Sequence, residues 1–568
     1  MVNTATALET MDTGPTGVRI ASALTIDNPD TAAWDDDCDV LVVGAGLAGS
    51  ASALKAAEDK TARIIVIDRF DGGGASQQSG GILYLGGGTS VQQEVGVEDS
   101  VEDMVNYLLL ETGNVVSRDT LERFCRDSAS IVPWLERYGV RFGGPMTEVK
   151  TSNPGKEYLY YSGNERLKDS LKVAKPAPRG HRAKPPTVDG PNELSGRDLM
   201  TPIKAALDEA ANIQVQRRTA ASRLIKDASG RVVGVEVRQL RPGSFGAWLH
   251  KKMMQANGNM TLQMLGISKP MLKVALAVER SRATTRRIRA RRGVVLSTGG
   301  YIHNPTLIEQ VSPTYKNTVP LGTVGDDGSG IMLGHSVGGA TDRLETVSAW
   351  RFLYPPEVWT KGVLVGPTGE RLVNEESYGA RIGAAMFEKA GGLAWLILDK
   401  TLFETAQEQM KDPDILGFQK LTIGIGALRM YAKHAPTVAA AAKRVGLPVE
   451  AVVATIERYN ADIAAGRDDP FGKAAKLCAP IVTAPFTIID LSYRTKFHPL
   501  PGLSMGGLRV DETTGSVIGE NGQPIAGLYA AGRTAVGLPS NLYVSGLSLA
   551  DCVWSGWRAA SNIAGQPA

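Results

Sequence analysis

A short apolar run, Asp39-Val40-Leu41-Val42-Val43, opens directly onto Gly44-Ala45-Gly46-Leu47-Ala48-Gly49, and no other stretch narrows the fold as far. The run reads as a buried strand, and the Ala-rich residues 50–60 read as a helix. A second apolar run, Arg63-Ile64-Ile65-Val66-Ile67, ends at Asp68. Strand, glycine turn, helix, strand and acid, in that order, make a βαβ unit of the dinucleotide-binding kind. Gly44, Gly46 and Gly49 let backbone N–H groups and the helix N-terminus, with Leu47 and Ala48 in its first turn, approach a pyrophosphate without Cβ interference. Asp68, followed by Arg69, can accept hydrogen bonds from ribose hydroxyls. A lone G-x-G-x-x-G is often only a tight turn; here the ordered context carries the reading.

FAD and NAD share this fingerprint, so further approaches of the backbone must decide between them. Gly74, Ala75 and Ser76, then Ser79, Gly80 and Gly81, come just after Asp68. Thr298-Gly299-Gly300 closes another apolar strand, Gly293-Val294-Val295-Leu296-Ser297, and Gly532-Arg533 ends the last one. Several separate approaches suit the long, extended FAD better than NAD.

The chain is therefore expected to be α/β, with a Rossmann-like FAD-binding domain interrupted by a smaller α+β substrate (capping) domain. The expected division is a flexible lead over 1–35, the first part of the FAD domain over 36–330, the substrate domain over 331–485, and the second part of the FAD domain over 486–568. Residues 120–138 read as a helix with Asp119 as N-cap, and 215–240 as a strand pair joined at Asp227-Ala228-Ser229-Gly230. Four scattered cysteines without C-x-x-C spacing argue against a zinc site or a disulfide framework, so no metal is expected, and they fit a reducing cytoplasm. No secretory signal is evident, and no run of about 18 apolar residues occurs to span a membrane.

Residues 241–292 differ from the rest, with twelve Lys or Arg and a single acid, Glu279, interleaved with residues such as Phe245, Trp248, Met253, Met254 and Leu265. A basic surface with interspersed apolar side chains suits adsorption to anionic lipid, each cation contributing about 1 kcal/mol at most. Peripheral membrane contact through 241–290 is the expectation, against a dimer arm or a surface hairpin. Nucleic-acid binding is not expected.

The glycine segments, Ala290-Arg291-Arg292-Gly293-Val294-Val295-Leu296 and Gly527-Leu528-Tyr529-Ala530-Ala531-Gly532-Arg533 resemble the FAD-dependent dehydrogenases and reductases that include succinate dehydrogenase, fumarate reductase and 3-ketosteroid dehydrogenases. Members with covalent flavin carry His where this chain has Ala75, so the resemblance implies non-covalent FAD. Within that family the chain is most similar to the 3-ketosteroid Δ4-(5α)-dehydrogenases, through Leu85-Gly86-Gly87-Gly88-Thr89, Tyr161-Ser162-Gly163, 176–181, 376–383 and Tyr543-Val544-Ser545-Gly546-Leu547-Ser548-Leu549. Relative to them it carries extra residues between Leu240 and Arg289.

By position, the resemblance makes Tyr378, Tyr543 and Ser545 catalytic residues and brings Ser548 and Leu549 to the flavin. The implied reaction removes a proton from C4 and a hydride from C5 of a hydrophobic 3-ketosteroid, the hydride going to flavin N5. Tyr543 is the expected base, aided by Tyr378 and Ser545, while N–H groups near Gly546 stabilise the enolate-like oxygen. The next electron acceptor stays open between a quinone, an electron-transfer protein and oxygen. Three other readings stand beside this one. A fumarate-reductase-like enzyme would gather Arg371, Arg381, His498 and Arg509 on a dicarboxylate. Δ1-dehydrogenases carry Tyr-Pro-Gly-x-Gly where this chain has Tyr-Val-Ser-Gly, and a flavin sensor would not turn over. His498 reads otherwise as a structural or rim histidine, and Arg371 and Arg381 as ion-pair formers.

Overall fold

The computed structural model describes residues 17–147, 157–185, 195–260 and 265–565. Its largest sheet takes strands from far-apart stretches: β1 (Leu24–Ile26), β2 (Asp36–Val43), β3 (Ile64–Asp68), β4 (Ile213–Arg217), β5 (Thr219–Asp227), β6 (Val232–Gln239) and β7 (Thr284–Leu296). Their order is β1-β5-β6-β7-β2-β3-β4. A late strand, β13 (Pro524–Ala530), also runs parallel to β7 at 294–296. β7, β2, β3 and β4 are mutually parallel, as buried apolar runs with helical crossovers require. Between β2 and β3 lies helix α1 (Leu47–Ala56). The C-terminal helix α5 (Leu547–Ala564) packs on α1 so closely that a Cβ at Gly556 would sit 2.6 Å from the Ala48 carbonyl oxygen.

The expected strand pair is formed by β5 and β6, and Gly230 in the turn between them takes φ +89°. The helix near 120 is Arg118–Arg137, but its N-cap is Ser117, whose hydroxyl accepts from the Thr120 N–H, rather than Asp119. Asp119 instead stands in the first turn, where its charge favours the helix dipole. Residues 1–16 of the expected lead lie outside the described residues. The rest of that lead is not free, because β1 pairs with β5 and satisfies an edge that would otherwise expose its backbone groups.

The basic stretch also divides. Phe245–Met260 (α2) and Leu265–Arg282 (α3) form a helical hairpin, with 261–264 outside the described residues. Thr284–Ala290 is not part of the hairpin; it is the first half of β7, interior to the sheet. Four of the five arginines of β7 are ion-paired there: Arg287 with Glu236, Arg289 with Asp30, Arg291 with Asp37 and Arg292 with Asp59.

A second core gathers residues between Ala349 and Leu500 around the antiparallel strands β8 (Val363–Val365), β9 (Trp395–Leu398), β11 (Phe486–Asp490) and β10 (Ala432–Ala435), in that spatial order. It starts and ends later than 331–485. Ile331 and Leu333 pack with the first sheet, whereas β11 is interior to the second. Helix α4 (Gly379–Ala390) seats against the strand Val347–Ala349, since a Cβ at Gly383 would fall 1.8 Å from the Ala349 carbonyl oxygen. A small sheet of Ile82–Tyr84, Gly180–Arg182, Leu159–Tyr160 and Met146–Thr147 lies under the C-terminal loop.

Candidate active site

One cavity of about 930 Å3 begins at the C-terminal ends of β2, β3, β7 and β13 and continues to the edge of the second core. The first three glycines divide their work. Gly44 has φ +103° and would place a Cβ 2.6 Å from the Ser297 carbonyl oxygen, and a Cβ at Gly49 would fall 1.8 Å from the Gly44 oxygen. Gly49 therefore packs α1 onto the glycine turn, and Gly44 packs that turn onto the end of β7 while lining the cavity as well. Gly46 faces open space, its nearest neighbour being Ser76 Oγ at 3.9 Å, and that space is the cavity. Leu47, Ala48, Asp68, Arg69, Gly74, Ala75, Ser76, Ser79, Gly80, Thr298, Gly299, Arg533, Ser548 and Leu549 line it as well. Gly49, Gly81, Gly300 and Gly532 do not. Added Cβ atoms at the last three would strike Ser195, Ser504 Oγ and Ala48 Cβ.

Asp68 has partners of its own. Oδ2 accepts from the Ala45 N–H at 2.9 Å, and Oδ1 from the Phe70 and Gly72 N–H groups at 2.7 and 3.2 Å. It holds the glycine turn to the next loop while facing the cavity. Arg69 is clamped between Glu279, 3.0 Å away on α3, and Asp327 at 2.9 Å. Arg533 pairs with Asp326 at 2.5 Å, and Asp326 also accepts from the Gly300 and Thr323 N–H groups. Sequence reasoning missed this 319–329 loop, which forms one wall. Its signal was Gly322-Thr323-Val324-Gly325-Asp326-Asp327-Gly328-Ser329-Gly330, a glycine cluster like those already singled out.

The hairpin was missed here too. Met254 and Gln255 of α2 line the cavity, and buried His250 stacks on Phe70 with ring centroids 6.0 Å apart. The one acid of the basic stretch, Glu279, anchors the hairpin to the site through Arg69.

At the far end Tyr543, Tyr378, Ser545 and Gly546 line the same cavity. Tyr378 caps α4 from the second core, its N–H donating to Asn164 Oδ1 at 2.6 Å. Tyr543 comes from the loop before α5 and packs on Trp350, with ring centroids 4.7 Å apart. Gly546, at φ +86°, is fixed by the Tyr84 N–H donating to its carbonyl oxygen, and Ser162 Oγ donates to the Ser545 carbonyl oxygen. Burial pushes Tyr543 up to about 12; the Gly546 N–H and the Arg533 charge act in the opposite direction, toward phenolate. Burial also holds Tyr378 well above its usual value, with Tyr543 adding to the rise and the Ser545 hydroxyl opposing it. Tyr160 is a further buried phenol beside Ser545, raised by burial and favoured toward phenolate by Arg182 and Ser545.

Arg371 is tied to Glu375 and Asp469, Arg381 to Glu111 and Asp169, and Arg509 is exposed; none of the three lines the cavity. The cationic cluster a dicarboxylate would need is not assembled from them. His498 does line the cavity, buried rather than on a rim.

The profile of the family described as FAD binding domain matches residues 39–546. The chain belongs to the FAD-binding flavoproteins. This flavoprotein is 36% identical over 525 residues to the 3-oxo-5-alpha-steroid 4-dehydrogenase of Comamonas testosteroni, covering 90% of this chain and 96% of that one. It is 26% identical to a probable fumarate reductase of Shewanella frigidimarina, covering 92% of this chain and 74% of the relative. Among solved structures, the 3-ketosteroid-Δ4-(5α)-dehydrogenase of Rhodococcus jostii RHA1, in complex with 4-androstene-3,17-dione, matches with a TM-score of 0.79 at 28% identity, covering 96% of this chain and 100% of that one. FAD is the cofactor, and the residues fit it. The unfilled side of Gly46, the start of α1 and the glycine-rich walls leave backbone N–H groups facing a long cavity.

Proposed function

We propose that the flavoprotein oxidises the C4–C5 bond of a 3-ketosteroid to a 4-ene-3-ketone. The observation that carries this is the convergence of Tyr543, Tyr378 and Ser545, from two different cores, on the cavity that also holds the cofactor cradle. Bound FAD supplies the two-electron acceptor, taking the C5 hydrogen with its electron pair. The protein supplies the rest. Tyr543 takes the C4 proton, which the neighbouring ketone acidifies, and Ser545 and Tyr378 stabilise its ionised form. Trp350 and Phe352, packed on the two tyrosines, hold them and exclude water from the face where the proton leaves. Two of the relatives named above, those of Comamonas testosteroni and Rhodococcus jostii, are steroid dehydrogenases by their names, and this chain is aligned with each over nine-tenths or more of its length.

In the same reading, FAD is held without a covalent bond, because Ala75 offers no nucleophile. The second core forms a capping unit set into the cofactor-binding unit, and electrons leave to a quinone or an electron-transfer protein. We also assign membrane contact to the α2–α3 hairpin alone. Phe245 and Trp248 stack on each other while 73% and 53% exposed, and Lys251, Lys252 and Lys273 are exposed around them. Among the described residues no helix is long and apolar enough to cross a membrane.

The test is anaerobic mixing of the yellow protein with a 5α-3-ketosteroid, following absorbance near 450 nm and identifying the product by NMR. Bleaching with a 4-ene product is expected. A 1-ene product would move the chemistry to the neighbouring bond, and absence of bleaching by every 3-ketosteroid would overturn the substrate class.

A further inference from the structure

Arg351 is 1% exposed, yet among the described residues no carboxylate lies within ion-pair distance of it. Among the described residues its side-chain hydrogen bond runs from Nη2 to the His498 carbonyl oxygen at 3.2 Å, and Nε has no partner. His498 is also buried, at 7% exposure, and among the described residues both its ring nitrogens lack partners. Both side chains line the cavity, together with Trp350, Phe352 and Tyr378. Leu416, Phe418, Ile423 and Leu503 add apolar wall to the same cavity.

A buried cation without a counter-charge is strongly destabilising, and a chain gains by keeping one only if something pairs with it. Asp490 acts on Arg351 only from longer range. Burial lowers the guanidinium to about 9, which still leaves it charged at neutral pH. Burial, and then the Arg351 charge, hold His498 far below its usual value, so the ring is neutral and offers one donor and one acceptor. A planar fork with a free Nε–H beside a neutral imidazole matches the two oxygens of a carboxylate.

We propose that Arg351 and His498 form a carboxylate-binding subsite, so that the preferred substrate is a 3-ketosteroid bearing an acidic side chain away from its reacting ring. This rests on the 3-ketosteroid reading above. The ketone and the C4–C5 bond must lie at Tyr543, so the group bound by Arg351 belongs to another part of the molecule.

The experiment compares two 5α-3-ketosteroids, one with a 17-ketone and one whose C17 side chain ends in a carboxylate, by kcat/KM with a dye acceptor. The native protein is expected to prefer the acid, and Arg351→Met to reduce the acid-to-ketone ratio about 10- to 100-fold, the range of a charged hydrogen-bonded contact. Arg351→Lys, which keeps the charge but loses the fork, should fall between them and serves if the Met variant does not fold. A native ratio of one or below, or a ratio unchanged in Arg351→Lys, overturns the proposal. If neither steroid bleaches the flavin, the dehydrogenase reading fails by itself. The subsite is then judged by titrating the acid steroid against the flavin spectrum, where a shift present in the native protein and weakened in Arg351→Lys sustains it, and no difference removes it.

Discussion

Tyr543 holds its proton too tightly to be a resting base, and that makes the rate depend steeply on pH. With its pKa at about 12, pH 8 lies four units below, and about one molecule in 10,000 carries the phenolate. Each pH unit upward removes the proton from about ten times more molecules, and the ionised form is the active one, so the rate must rise with pH. Under saturating 5α-3-ketosteroid, stopped-flow bleaching at 450 nm should accelerate about tenfold per pH unit between pH 7 and 9, without a plateau in that window. Tyr543→Phe keeps the ring against Trp350 but removes the proton acceptor. It should slow bleaching by roughly 100- to 10,000-fold and abolish the slope. A plateau below pH 8, or a slope that survives in Tyr543→Phe, would place the titrating group elsewhere and refute the assignment.

Four other outcomes are expected. Gly46→Ala meets no atom closer than 3.9 Å and should fold with normal circular dichroism but lose bound FAD, whereas Gly44→Ala, strained at φ +103° and only 2.6 Å from Ser297 O, should not yield folded protein. Deleting 243–285 removes Met254, Gln255 and the Glu279 anchor from the cofactor wall, so FAD should dissociate at least about tenfold more readily by fluorescence, and Glu279→Gln should do the same more mildly. Glu375→Gln leaves the Arg371 and Lys473 cations without their shared buried carboxylate and should cost about 3–5 kcal/mol, read as a lower thermal midpoint with FAD stoichiometry unchanged. Phe245→Ser with Trp248→Ser should abolish co-sedimentation with anionic liposomes while FAD stays bound, and unchanged sedimentation would remove the membrane role of the hairpin.

How much of this was legible beforehand follows from the range of the contacts. The cofactor cradle is built from backbone approach within short segments, so Gly44, Gly46 and Gly74 announce themselves by spacing alone. What spacing could not divide was the labour among those glycines. Gly49 and Gly81 look like ligand residues in sequence, yet each is packed against a carbonyl, that of Gly44 or Ser195, which spacing does not reveal. The basic stretch misled for a related reason. Alternating cations and apolar residues record that a surface exists but not what covers it, and five of its arginines sit on a strand inside the largest sheet, four of them facing acids at 30, 37, 59 and 236.

The catalytic end required long-range packing, which explains both why it needed family resemblance to be found and why it should behave as a unit. Tyr378 reaches the cavity because Gly383 lets α4 lie directly on the Ala349 carbonyl, and because Arg381 on that helix pairs with Glu111 and Asp169 of the first part of the chain at 2.7 Å each. Tyr543 reaches it because Gly546 is locked to the strand ending at Tyr84. The proposed proton acceptor and its proposed helper are thus carried by separate cores, and docking of the cores brings them together. Arg381→Ala should therefore lower the bleaching rate while leaving FAD bound and the pH slope set by Tyr543 in place. A variant that kept its full rate would mean that α4 is positioned by Gly383 alone, and that the ion pairs to Glu111 and Asp169 contribute nothing to the placement of Tyr378.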